Sequence, residues 1–308
     1  MTELSAKDFV IKGASQNEEQ ERFSSRPITY GQDALRRFRR NKAALTAAVL
    51  LLALLGLVVL GPVLSGYPIH ERTNAMTRNL PPSAEHWFGT DTMGRDLFTR
   101  TCVGGRASIA IGLVGAVIVV VIGTLYGGLA ALLGGRADEL MMRVVDILSS
   151  VPNLLVIILI SVVLDSRSIS TMLFAITVTG WCPTARIVRS QMLQISQSEY
   201  VMAAKLMDIS PVNIVLRHLI PNTMSVIIVD TTFRIPGFIF SEAFLSYVGL
   251  GVQPPQTSWG ALAAAAQGMF QFYPWQLLFP AGAIALTMLA FTLLGDGLRD
   301  ALDPKLRR

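Results

Sequence analysis

Asp230, Arg234 and Glu242 lie in a stretch of chain that is otherwise apolar enough for lipid. Asp230 and Arg234 are four residues apart, the spacing at which an acid and a base meet on one helix face. If the helix starts at Asn222, a rise of 1.5 Å per residue puts both about 12–18 Å deep, near mid-membrane, and Glu242 about 30 Å along, near the outer interface. Charges at such depths face a bundle interior or a water-filled path. Two readings stay open for Asp230 and Arg234: a buried structural pair, or, with Glu242, the lining or gate of a translocation path.

Groups for covalent or hydrolytic chemistry are missing from the sequence. There is no GxxxxGK[ST] nucleotide loop, no HExxH, no CxxC and no nucleophile elbow. His70, His86 and His218 are scattered, and none has metal-ligand spacing. Asp91 and Asp96 offer too few oxygens for a calcium site. The expectation is a chain without catalytic residues, metal or cofactor of its own. Cys102 lies outside the second expected span and Cys182 inside the fourth, so no disulfide framework is read from them.

A second cluster of polar groups is Glu199–Asn222, EYVMAAKLMDISPVNIVLRHLIPN, a charged interlude between two apolar spans. Ala203, Ala204, Lys205, Leu206 and Met207 are good helix formers, so a short helix is expected from Glu199 to Met207. The Ala203–Ala204 pair would give a low-relief face for another surface. Pro211 suits the first turn of a second helix, with Ser210 as its cap. The residues alone leave two readings: a helix–turn–helix that projects into the cytosol as a docking element, or a lipid-surface helix with ordinary loop charges.

The elements that must position these groups follow from hydropathy. The chain has 308 residues, of which 52% are hydrophobic and 15% charged, the balance of a polytopic membrane protein. Six spans are expected in an all-α fold: Ala43–Leu64, Ala107–Leu133, Arg143–Leu164, Ser168–Val188, Asn222–Val248 and Trp275–Leu294. An even number places both termini on one side. The net charge of +5 is spread along the basic segments of that side, among them Arg36–Lys42, Arg136, Arg143, Arg186, Arg189, Lys205, Arg217 and Arg299–Arg308, and not in a nucleic-acid patch. Residues 1–30 read as a flexible cytosolic tail and 31–42 as an amphipathic interfacial helix in contact with membrane lipid, with Leu35 and Phe38 on one face. A transmembrane unit then runs over 43–308.

Within the spans, Gly123 and Gly127 form a GxxxG pair suited to close helix approach. Pro152 predicts a kink, and Pro236–Gly237 predicts a break. The outer stretch 86–100 reads as a capped surface helix with Asp91–Arg95 and Asp96–Arg100 pairs. The segment 249–274 reads as a turn followed by a short helix that dips back. No internal repeat is visible, which weighs against a secondary transporter built from inverted repeats.

Five stretches in order resemble one family: FGTDTMGRDLFTR (88–100), GGRADELMMRVVDILSSVP (134–152), the 199–222 interlude, SEAFLSYVGLGVQPPQTSWG (241–260) and DALDPKLRR (300–308). They are similar to permease subunits of binding-protein-dependent ABC importers, in the OppC/DppC-type peptide branch, and the likeness covers nearly everything after residue 31. The resemblance implies the ABC importer type I permease fold with cytosolic termini, in the inner membrane. It implies a homologous second permease, two ABC ATPase subunits or domains that bind ATP and Mg, and an extracytoplasmic peptide-binding protein. The interlude would be the coupling helix, with Glu199, Ala203, Ala204, Lys205, Asp208, Ser210 and Pro211 at the ATPase. Asp91, Arg95, Asp96 and Trp259 would meet the binding protein. The pattern has Glu and Gly where this chain has Met202 and Asp208. An ion-coupled transporter using Asp230, Arg234 and Glu242, a recruiting scaffold, and a permease for nickel chelates or glutathione are the alternatives.

Overall fold

In the computed structural model, residues 30–68, 75–254 and 256–303 are described, and every regular element among them is helical. The expected tail lies outside the described residues, as do Pro255 and the basic residues after Asp303.

Helix α1 (Tyr30–Arg40) is the expected amphipathic segment. It stops at Asn41, whose side chain accepts the Ala44 N–H at 3.1 Å and starts α2 (Lys42–Leu64) at the residue where the apolar run begins. Helix α3 (Leu97–Leu133) starts ten residues before the expected span, because Asp96 caps it by accepting the Thr99 N–H at 2.8 Å. The third span is two helices, α4 (Gly135–Ser150) and α5 (Asn153–Val163), bent by 76° at Pro152. The fourth is α6 (Ile169–Gly180) and α7 (Cys182–Ile195), bent by 43° at Trp181. Pro183 in the first turn of α7 fits that start, since its missing N–H is one the helix would leave unpaired.

Helix α8 (Glu199–Leu206) forms the projection, and α9 (Pro211–Ile214) continues through a π-helical turn, Val215–Leu219, into α10 (Ile220–Tyr247). The expected break at Pro236–Gly237 does not occur: α10 runs through both residues. Helix α11 (Trp259–Ala266) is the short returning helix, and α12 (Trp275–Leu302) is the last span. Helices α2, α3, α9–α10 and α12 are each long and apolar enough to cross a membrane; the two bent pairs make six if each counts as one span.

The main core joins α3, α5, α6 and α10 through Ile111, Val119, Ile157, Ile176, Ile239 and Leu245. Beside this core, α3 also crosses α7 closely. A Cβ on Gly123 would stand 2.6 Å from that of Thr184, and one on Gly127 would meet the Ala185 carbonyl. The GxxxG pair is therefore a groove for the backbone of α7. Leu52, Val63 and Leu125 remain well exposed on the outside of the bundle, as expected of a surface that meets acyl chains.

Candidate functional site

Helix α8 is short and stands between two spans, so its order comes from its seat. Val201 and Ala204 point inward onto a cluster of Val188 and Met192 from α7 with Ile214, Val215, Leu219 and Ile227 from the α9–α10 helix. The Tyr200 ring lies 6.3 Å from that of His218, a second tie to the π turn. The helix ends in two bonds of a Schellman turn: Ile209 N–H donates to the Ala204 carbonyl at 3.3 Å, and Asp208 N–H to the Lys205 carbonyl at 3.1 Å. Asp208 adopts φ = 56°, the left-handed conformation for which glycine is the usual residue. Ser210 caps the next helix as expected, accepting the Asn213 N–H at 3.4 Å, and Pro211 follows.

The alanine pair does not form one face. Ala204 is 5% exposed and belongs to the seat, whereas Ala203 is exposed with Glu199 and Lys205. The outward surface also holds Met202, Leu206 at 89% exposure and Met207 at 76%. Sequence reasoning missed these three as contacts. Their signal was an apolar run in a segment that is not itself a span. A contiguous apolar surface on a rigid mount is the physical signature of a docking site.

About 20 Å from α8 along α7, at 1.5 Å per residue, lies the ion pair. Arg234 grips Asp230 with Nε at 2.7 Å and Nη2 at 3.1 Å. Thr184 Oγ1 on α7 donates to Asp230 at 2.8 Å, and Arg234 Nη1 reaches the Gly180 carbonyl at 3.4 Å. The pair thus ties α10 to the bend between α6 and α7. Thr184 and Gly180 escaped the sequence reading because nothing local marks them; they are found only by proximity. Two further pairs, Arg186–Asp146 at 2.8 Å and Arg189–Asp138, fasten α7 to α4.

Glu242 is not in a path. It is fully buried, and it accepts bonds from Ser108 Oγ at 2.9 Å and Ser246 Oγ at 2.8 Å. Ser108 Oγ accepts the Trp259 N–H at 3.1 Å, so this node locks α11 onto α3 and α10.

The segment 86–96, expected as a surface helix, is a set of turns. The predicted Asp91–Arg95 pair forms, with Nη2 at 2.7 Å, but within a turn whose Met93 and Arg95 N–H groups also donate to Asp91. Arg100 Nε lies 3.4 Å from the same carboxylate. Asp96 is 2% exposed and is occupied by the helix cap and by His86 Nδ1 at 3.0 Å. Trp259 is 1% exposed, and its Nε1–H donates to the Thr101 carbonyl at 2.8 Å. Neither Asp96 nor Trp259 can touch another protein at the surface. Asp91 and Arg95, with Arg100, line a cavity of about 510 Å³ together with Gln253, Leu262 and Gln276.

Long apolar helices, four of them single and two more as bent pairs, are the architecture of a multi-pass membrane protein. Residues 120–308 match the family described as binding-protein-dependent transport system inner membrane component, and residues 29–82 match the N-terminal TM domain of oligopeptide transport permease C. The chain belongs to the first of these families, with the ABC type I permease fold. It is a non-catalytic permease subunit of an ABC importer complex, embedded in the cytoplasmic membrane, with ATP hydrolysis in other subunits.

Similar chains include the dipeptide transport system permease protein DppC of Bacillus subtilis, 46% identical over 98% of this chain and 94% of that one. The oligopeptide transport system permease protein OppC of the same organism is 45% identical over 94% of each chain. That of Haemophilus influenzae is 41% identical over 97% of this chain and 95% of its own.

Proposed function

We propose that this chain moves short peptides inward across the cytoplasmic membrane as one half of a permease pair. Its partners are a homologous permease, two ATPase subunits or domains that carry ATP and Mg, and an extracytoplasmic peptide-binding protein. The relatives' peptide-transport names support the substrate class. The observation that carries the coupling role is α8: an apolar, exposed face on a rigid seat made by the two helices that enter and leave it.

The mechanism is alternating access. ATP-dependent closure of the ATPases displaces α8, and α7 and α10 move with it because Thr184, Asp230 and Arg234 tie them together. Nucleotide state and permease conformation then bias each other reciprocally. Asp230 and Arg234 serve as an interhelical tie and not as a peptide contact. The outer cavity beside Asp91 and Arg95 faces the binding protein, with the α8 end of the bundle and both termini in the cytosol.

Reconstitution of the complex in vesicles tests this reading. Uptake of di- and oligopeptides that requires ATP and the binding protein is expected. Uptake that persists without the ATPases and collapses with an ion gradient would overturn it, as would uptake of nickel chelates or glutathione in place of peptides.

A further inference from the structure

A crevice of about 490 Å³ opens between α1 and the last turns of α12. Arg36, Arg37 and Arg40 line one wall, and Gly297 and Asp300 the other. Its depth follows from the chain: Asn41 caps the span α2, and the exposed apolar face begins at once with Leu45, Val49 and Leu52. The crevice therefore sits where hydrocarbon gives way to headgroups. Gly297 packs so closely on Ala44 that no side chain fits there, which closes the floor, and among the described residues nothing fills the space above it.

The charges in the crevice are unequal. Asp33 is engaged by Arg37 at 2.9 Å. Among the described residues Arg36 and Arg40 have no ion pair, and both are exposed. They are four residues apart and share a helix face. Asp300 is the one carboxylate opposite them. Two guanidiniums side by side, at headgroup depth and below an acyl-facing helix, match a phosphodiester in geometry and charge. We propose that this crevice binds the headgroup phosphate of an anionic phospholipid, with Arg36 and Arg40 as its donors and the acyl chains along α2. The bound lipid would pin α1 to α12.

The test uses the purified complex in mixed micelles of phosphatidylglycerol or phosphatidylcholine, with retained lipid counted by native mass spectrometry. Retention of phosphatidylglycerol over phosphatidylcholine is expected. The pair R36Q/R40Q should weaken it about thirtyfold, from two cations lost at the headgroup. The pair R39Q/K42Q removes equal charge outside the crevice and should have a much smaller effect. If R36Q/R40Q does not assemble, R36K/R40K keeps the charge without the planar fork and should show a partial loss. Equal losses in the two glutamine pairs, or full retention in R36Q/R40Q, would overturn the proposal. So would hydrogen-exchange protection of α1 given equally by inorganic phosphate, which marks an ion site, or given by the ATPase subunits without lipid, which marks a protein contact.

Discussion

Asp208 holds the turn that ends α8 at φ = 56°. Asparagine, aspartate and glycine tolerate this region, and other residues lose roughly 1–2 kcal/mol there. Asp208→Gly should leave thermal stability of the complex unchanged or slightly raised, whereas Asp208→Val should lower it by about that amount; a melting curve of the purified complex reads both. Arg234→Gln leaves the partly buried Asp230 carboxylate without its cation, a loss of up to about 3 kcal/mol. The double variant Asp230→Asn/Arg234→Gln should recover most of the melting temperature and keep uptake. Normal assembly with altered peptide selectivity in the double variant would show that the pair faces the path. At this scale the sequence was informative about pairs within one helix and poor about burial. Asp230–Arg234 was legible from its spacing. Asp96 and Trp259 were misread as surface contacts because a polar loop composition does not reveal that the loop folds back onto α3 and α11.

Among elements, α3 and α7 form the crossing that sets the rest. Gly127 lies against backbone at Ala185, which has no flexible end to swing aside. Gly127→Leu should therefore cost more than the roughly 1–3 kcal/mol of ordinary overpacking and reduce recovery of assembled complex. Gly56→Leu is the control, since nothing lies within 4 Å of its Cβ position. Size-exclusion yield of the two variants makes the comparison. The four unbroken spans were legible because each is a long apolar run, and the bend at Pro152 was legible because proline removes a helix bond. The bend at Trp181 has a mark of its own in Pro183, which the sequence reading did not use, whereas Pro236 leaves α10 unbroken. A proline shows where a helix bond is missing; packing against neighbouring helices decides whether the axis turns.

For the molecule as a whole, ATP hydrolysis takes place in other subunits of the importer, so their work has to reach this chain through a contact surface. In the proposed coupling the outward face of α8 is that surface: Ala203, Met202, Leu206 and Met207 are exposed, supported from beneath by Val201 and Ala204. The place was legible as an interlude between spans, but the sides of the helix were not. Only the packing of Ala204 onto α7 and the α9–α10 helix separates seat from docking face. The most direct measurement is site-specific disulfide or short-linker cross-linking in the assembled complex, with single cysteines at Leu206, Ala203 and Ala204. Native Cys102 and Cys182 are both free and buried, so background should be small. Cysteine at 206 and at 203 should cross-link to an ATPase subunit with a yield that changes with nucleotide, while cysteine at 204 should not. No cross-link from 206 or 203 in any nucleotide state of an assembled complex would contradict the docking role of α8.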